Sequence, residues 1–334
     1  MQMRAREREL GRGERVLPGL WRLRLPLPWP GVPHCNAWAL AAGDGIVLVD
    51  CGMHEPGSFG HLERALAMVN LRVEHVRRLV CTHAHSDHYG QAATVMDRAG
   101  CELWMHPNHE HMTRAARDPD AWLQRRLEVA FQSGVPADAV RGYGEARRGV
   151  GFGIARIVEP DHPLVEGVTI DTDLGPWRVY ETPGHAPSHV CLYQPERRLL
   201  ISGDHVLGRI STYYDYGYTP DPVGEFLRSL DVVDDLDARL CLAGHGRTFT
   251  DVAAHVHGNR EQVAERVAKV LEAVSGEPLT AYEAVPRVYG EPITPANGNW
   301  WLSETLCYLR HLEMTGRVRR VVAEQQAPER WTPA

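Results

Sequence analysis

The stretch Thr82-His83-Ala84-His85-Ser86-Asp87-His88-Tyr89-Gly90 puts three imidazoles and one carboxylate within six positions, directly after the apolar run Leu79-Val80-Cys81. Imidazole and carboxylate together suit zinc, iron or manganese, and a short loop leaving a strand end can aim several side chains at one point. His83 and His85 are two apart, so in extended chain they face the same way. Asp87 and His88 are adjacent and turn inward together only where the chain bends, which places them at the start of a helix running to about Ala99. One centre does not readily take all four.

The alternative is a solvated histidine-rich turn, and later segments argue against it. Thr182-Pro183-Gly184-His185 ends the apolar run Trp177 to Tyr180, Ser202-Gly203-Asp204 ends Leu199-Leu200-Ile201, and Gly244-His245-Gly246 ends Leu240 to Ala243. Three runs that each close on a glycine-flanked His or Asp are how a scaffold sheet presents ligands from its loops.

On these residues the chain resembles the metallo-β-lactamase superfamily over about residues 16 to 250. The resemblance implies that His83, His85 and His185 hold one metal, that Asp87, His88 and His245 hold a second, and that Asp204 bridges them. It also implies an α/β fold, a four-layer αβ/βα sandwich with the site along one edge of two packed sheets. The cofactors expected are two divalent ions, zinc first, with iron and manganese compatible. Asp50 closes the run Ile46 to Val49 as the ligands close theirs. It is read as the carboxylate that takes the far N–H of a metal-bound imidazole, a turn former being the alternative.

Met1 to Arg15 is arginine-rich without a following apolar segment, and no stretch approaches the length of a membrane span, so a cytoplasmic protein is expected. The seven cysteines never form Cys-x-x-Cys, and three lie inside apolar runs, which reads as buried hydrophobes in a reducing compartment. Net charge is −7 and Lys269 is the only lysine, which argues against a nucleic-acid-binding surface.

In chain order, strands are expected at Val16 to Leu27, Asn36 to Ala42 and Ile46 to Val49, with an edge blunted by Pro26, Pro28, Pro30 and Pro33, then a helix at Ser58 to Met68. Residues 107–150 read as a polar, solvated helical insertion serving as lid or pocket wall, with Gly149 to Gly153 as a flexible hinge. His106, His109 and His111 are read there as solvated side chains and not ligands, His205 as pointing away from the site, and His189 as a structural hydrogen-bonding residue. The loop Arg209 to Pro222 leaves Asp204 and should pass the metals; Tyr213, Tyr214 and Arg209 are its candidate substrate contacts, packing of the loop being the alternative for the tyrosines.

Residues 1–250 are taken as the catalytic domain and 251–334 as a C-terminal region. Asp251 caps a helix to about Val274, Thr280 starts one to Tyr289, Asn297 to Met314 forms a third, and Arg317 to Ala323 pairs with Glu329 to Trp331. That order resembles the winged-helix-like region of the lactamase-beta-2-like branch. The apolar third helix makes it a cap over the substrate side or a homodimer contact.

The function these readings imply is hydrolysis of a small ester, thioester or lactone by water or hydroxide shared between two zinc ions, with Asp87 as proton shuttle. A phosphodiesterase or endoribonuclease, a β-lactamase side activity and an iron enzyme resembling persulfide dioxygenases are the competing readings.

Overall fold

The computed structural model describes residues 10–29, 31–321 and 327–334. Pro30, Val322, Ala323 and the first nine residues, on which parts of the expected edge, the C-terminal strand and the arginine-rich first stretch fall, lie outside the described residues.

The chain opens with four antiparallel strands, β1 (Arg12–Leu17), β2 (Leu20–Trp29), β3 (Val32–Ala42) and β4 (Gly45–Val49). The single strand expected from Val16 to Leu27 is thus two, because Pro18-Gly19 turns the chain and pairs Leu17 with Leu20. Pro26 and Pro28 lie in the last part of β2, which among the described residues pairs with β3 alone and so forms an open edge there. They are tolerated because β1 pairs with β2 only as far as Arg24, which leaves that side without a ladder to donate to.

Helix α1 (Ser58–Ala67) leads to β5 (Val76–Cys81), α2 (Ser86–Tyr89), α3 (Ala92–Ala99) and β6 (Glu102–Met105). Helices α4 (Glu110–Arg117), α5 (Pro119–Gln132) and α6 (Ala137–Arg147) form the insertion, and β7 (His162–Pro163) completes a seven-stranded sheet in the order β1 to β7. The second sheet follows as β8 (Thr169–Ile170), β9 (Trp177–Glu181), β10 (Val190–Gln194), β11 (Leu199–Gly203), α7 (Pro222–Asp235) and β12 (Leu240–Ala243), ordered β12-β11-β10-β9-β8. Helices α8 (Val252–Val274), α9 (Ala281–Tyr289) and α10 (Gly298–Met314) and the hairpin of β13 (Val318–Val321) and β14 (Arg330–Pro333) end the chain.

Strand alternation makes four layers of this. Val47 and Val49 of β4 face inward with Val80 against Val190, Leu192, Ile201 and Leu242 of the second sheet. Their neighbours Ile46, Leu48, Leu79 and Cys81 point outward and are covered by Leu62 and Leu66 of α1 and Val95 of α3. On the far side Cys191, Leu200 and Cys241 point outward under α7, α8 and α10, through Phe226, Leu230, Val256, Val263 and Leu309. Three stacked apolar layers between helix, sheet, sheet and helix are the αβ/βα sandwich. All seven cysteines are free and buried, and no helix of the described residues is long and apolar enough to cross a membrane.

Candidate metal centre

Strand direction gathers the site. β4 and β5 are parallel, and β9, β11 and β12 run the same way within their sheet, because β10 is antiparallel to both β9 and β11 while β11 and β12 are parallel. The loops after them therefore leave from one edge of the sandwich and carry Asp50, His83 to His88, His185, Asp204 and His245. Asn36 N–H to the Gly244 carbonyl (2.7 Å) and Val190 N–H to the Thr82 carbonyl (2.9 Å) stitch the sheets at that edge. Two glycines are needed for this closeness. A Cβ at Gly203, whose φ is 47°, would sit 2.5 Å from His189 Nε2, and one at Gly244 would sit 2.1 Å from Asp204 Oδ1.

The bend at Asp87 and His88 is a four-residue helix, Ser86–Tyr89; it does not run on to Ala99, because the chain breaks at Gly90-Gln91 before α3. At Gly90 a Cβ would meet the Ser86 and Gly153 carbonyls at 2.2 Å, so this chain crossing is closed to side chains.

Each of the five imidazoles is fixed through one ring nitrogen. His88 Nδ1–H donates to Asp50 Oδ2 (2.8 Å), His85 Nε2–H to Asp215 Oδ2 (2.9 Å), His185 Nδ1–H to the Tyr213 carbonyl (3.1 Å) and His245 Nδ1–H to the His34 carbonyl (2.9 Å). His83 Nδ1 lies 3.0 Å from the Thr82 hydroxyl, which is within 3.0 Å of Asp50 Oδ2. The carboxylate only accepts, so the hydroxyl proton points to Asp50 and the hydroxyl oxygen takes the His83 N–H. These partners take one nitrogen of each ring and leave the opposite nitrogen free for a metal ion or, without one, for a proton.

These opposite nitrogens converge. His85 Nδ1 and His185 Nε2 are 3.0 Å apart, a spacing that calls for a proton or a metal ion between them. His245 Nε2 is 3.0 Å from Asp204 Oδ2 and 3.2 Å from Asp87 Oδ2, and His88 Nε2 is 3.5 Å from both Asp87 Oδ2 and Asp204 Oδ1. Asp204 Oδ2 also reaches within 3.7 Å of His185 Nε2, so one carboxylate faces both triads. His83 with His85 and His185, and Asp87 with His88 and His245, each bring their donor atoms within 4.8 Å of one another. His83 Nε2, His88 Nε2 and Asp204 Oδ1 are buried with no hydrogen-bond partner. Buried polar atoms rarely stay orphaned, and two ring nitrogens and an oxygen aimed at a shared centre fit divalent cations.

The charge pattern agrees. Burial, then the neighbouring imidazoles, hold His83 well below the ordinary range, and burial with His85 brings His185 down to about 4. Burial would lower His245 as well, but Asp204 and Asp87 lift it to about 10. Burial opposes ionisation of Asp204, yet His245 and His88 hold it well below the usual carboxylate range.

Several sequence expectations are corrected here. The three histidines are not solvated: His106, His109 and His111 are buried, while most of α5 and α6 is exposed or half-exposed as expected. His111 Nδ1 lies 2.9 Å from Asp215 Oδ2, and its Nε2 is 2.9 Å from the Ser188 hydroxyl, which accepts the Ala84 N–H. His106 and His109 instead take Glu181 and Glu159 as partners. The glycine-rich exit is tied down at Gly153, whose carbonyl accepts the His54 N–H at 2.8 Å. Tyr214 is fully buried against Phe226 and Tyr308 and belongs to the core, while Arg209 is exposed. Tyr213 does face the centre, its ring 6.0 Å from His85 and 5.7 Å from His185. His189 is structural, spanning the Thr182 hydroxyl (2.8 Å) and the Asp204 N–H (3.1 Å), and His205 turns away onto the Phe226 ring. Asp215, the carboxylate shared by His85 and His111, escapes the sequence reading; its only signal there is a position in the tyrosine-rich loop.

The family model of the metallo-beta-lactamase superfamily matches residues 30–245, a span holding all seven donors. The chain belongs to the metallo-β-lactamase superfamily. It is 26% identical over 299 residues to a probable metallo-hydrolase of Bacillus subtilis, covering 87% of this chain and 89% of that protein. It is 25% identical over 265 residues to an atrochrysone carboxyl ACP thioesterase of Aspergillus chevalieri, covering 76% and 68%. A metallo-beta-lactamase family protein of Thermus thermophilus superposes with a TM-score of 0.81 at 28% identity, over 96% of this chain and all of that one. That span takes in the C-terminal helices.

In this superfamily member three walls rise around the candidate metal centre. Tyr213 stands on the loop after β11, Trp300 of α10 packs on it at 5.4 Å and donates to the Thr212 carbonyl, and Tyr218 packs on His111 at 5.7 Å. The insertion, the tyrosine loop and the C-terminal helix thus meet beside the ligands.

Proposed function

We propose that this metallo-hydrolase cleaves a small ester, thioester or lactone with two divalent ions, zinc first. His83, His85 and His185 would hold one ion, Asp87, His88 and His245 the other, and Asp204 would bridge them. The observation that carries this reading is the convergence of five imidazoles, each anchored through one ring nitrogen, and two carboxylates on one edge, with Asp204 Oδ2 3.0 Å from His245 Nε2 and 3.7 Å from His185 Nε2. What such ions supply when bound is Lewis acidity, which lowers the pKa of water and polarises a carbonyl oxygen. Asp87, within reach of both His88 and His245, would take the proton released on attack and return it to the leaving group. Tyr213 would form the wall against which the acyl group lies.

The thioesterase among the relatives favours a thioester within this class. An RNA substrate is disfavoured by charge. The net charge is −7, and of the four arginines after α10 Arg320 is engaged with Glu313 and Glu329 and Arg330 with Glu283, which leaves only Arg317 and Arg319 without an ion pair among the described residues. A polynucleotide track needs unpaired cations and binds with steep salt dependence. The test is a parallel assay of zinc-loaded protein on aryl esters, thioesters, lactones, a β-lactam and single-stranded RNA. Turnover of a carbonyl substrate that is lost in His83→Ala supports the proposal. Efficient, salt-sensitive RNA cleavage with negligible carbonyl turnover overturns it.

A further inference from the structure

Helix α10 grips the loop after β11 along one stripe, Trp300, Ser303, Glu304, Cys307 and Tyr308, spaced three and four apart on a single helix face. Glu304 is the one charged member of that stripe, and it is only 4% exposed. Three hydroxyls donate to its carboxylate: those of Thr212, of Tyr308 at 2.9 Å and of Tyr289, on α9, at 2.7 Å. The Thr212 hydroxyl in turn takes an amide hydrogen of Gln262 at 3.3 Å, so α8 and α10 both reach it. Trp300 donates to the Thr212 carbonyl at 3.1 Å, and Ser303 to the Tyr214 carbonyl at 3.3 Å.

Residues 212–215 alternate in the side they present. Thr212 and Tyr214 are buried against α10, while Tyr213 and Asp215 are half-buried and meet the candidate ligands. The Tyr213 carbonyl accepts His185 Nδ1–H at 3.1 Å, and Asp215 Oδ2 accepts His85 Nε2–H at 2.9 Å. The Asp215 N–H also donates to the His185 carbonyl at 3.2 Å. Any shift of Thr212 or Tyr214 relative to α10 therefore moves the two groups that aim His185 and His85. His88 and His245 are aimed from elsewhere, by Asp50 after β4 and by the His34 carbonyl on β3. A buried carboxylate costs more than a neutral group in its place, but it accepts several donors at once and holds a hydroxyl more strongly than a neutral acceptor does.

We propose that Glu304 is a positioning residue for the His83, His85 and His185 site: through Thr212 it fixes the strap of residues 212–215 that aims His85 and His185, so the C-terminal region tunes that site and not the second. This rests on the metal-centre reading above. The competing role is packing alone, Glu304 merely joining α9 and α10 to the loop.

The test titrates zinc against a chromophoric chelator in wild type, Thr212→Val, Thr212→Ser and Tyr289→Phe, with His83→Ala and His245→Ala marking which affinity belongs to which triad. Thr212→Val keeps the side-chain shape and removes the hydroxyl. It should weaken the His83, His85 and His185 site about threefold to tenfold and leave the other within about twofold. Thr212→Ser, which keeps the hydroxyl, should hold near wild type. Tyr289→Phe takes a donor from Glu304 but spares its bond to Thr212, so it should leave both affinities in place whatever it does to Tm. Unchanged affinities in Thr212→Val, equal loss from both sites, or a loss in Tyr289→Phe as large as in Thr212→Val overturns the proposal in favour of packing. Solvent exchange of the imidazole N–H protons in the metal-free protein, followed by NMR, gives a second measure. Exchange at His85 and His185 should quicken in Thr212→Val and not in Tyr289→Phe, with His88 and His245 unaffected. Should wild type bind no zinc, the metal-centre reading fails, yet exchange still decides. Quickening confined to His85 and His185 upholds the positioning role, and unchanged rates end it.

Discussion

Replacing Asp50 by Asn changes one atom and should weaken both halves of the metal centre unequally. Asp50 is buried with φ 61°, a left-handed conformation that Asn also tolerates, so the backbone should hold. Its oxygens accept three donors: Thr82 N–H at 2.8 Å, the Thr82 hydroxyl at 3.0 Å and His88 Nδ1–H at 2.8 Å. Asn offers one acceptor oxygen, so an NH2 must face a buried donor. If it faces His88, the ring escapes by moving its proton to Nε2, which is the nitrogen aimed at the second triad. Losing a hydrogen bond to a charged acceptor costs about 1.5–3 kcal/mol, or roughly tenfold to 150-fold in affinity. Removing a carboxylate partner of a metal-ligating His typically costs about 10–100-fold, so the two routes agree. His83 feels Asp50 only through the Thr82 hydroxyl, and its site should lose less. Zinc titrated against a chromophoric chelator reads both affinities. Affinities of both sites within about threefold of wild type would refute the reasoning, as would equal loss from both.

Asp215→Asn should lower retention at the His83, His85 and His185 site by about 10–100-fold in the same chelator assay, since Asp215 Oδ2 is shared by His85 and His111 at 2.9 Å each. His245→Ala should deplete the second metal while sparing part of the first, read by elemental analysis of the dialysed protein; equal loss from both speaks against Asp204 as the bridge. Tyr214→Ala should destabilise by about 3–5 kcal/mol in urea unfolding, the cost of emptying a buried aromatic site, instead of changing KM selectively. The metal-free protein should be most stable near pH 6.5. Below that, His185, at about 4 when folded, binds protons more readily unfolded, so stability falls as pH drops from about 6.5 toward 4. Above it, His245, raised to about 10, loses the proton that Asp204 and Asp87 favour, so its contribution fades as pH rises through 10. Calorimetry across pH 4–10 measures both limbs, and a stability flat across that range contradicts the assignments.

Local chain geometry singled out the candidate donors in the sequence, while their division between two ions is what the family resemblance implies. Residues two apart in extended chain face one way, adjacent residues converge only at a bend, and glycines at 203 and 244 admit the crowding that three strand ends produce. The helix caps were legible for the same reason: Thr280 and Glu283 exchange hydrogen bonds in a capping box, and Asp251 accepts the Ala254 N–H. What the tertiary structure alone decided is which side of each irregular loop faces the candidate ligands. Tyr213 and Tyr214 are neighbours of nearly equal chemistry, and only packing against Phe226 and Tyr308 sends Tyr214 into the core and leaves Tyr213 beside His185. Asp215 and His111, 104 positions apart (215 − 111), become partners because α4 folds back over the loop after β11. No periodicity encodes such a meeting, since a loop lacks the repeat that ties side-chain direction to sequence position, and burial against distant elements supplies the direction instead.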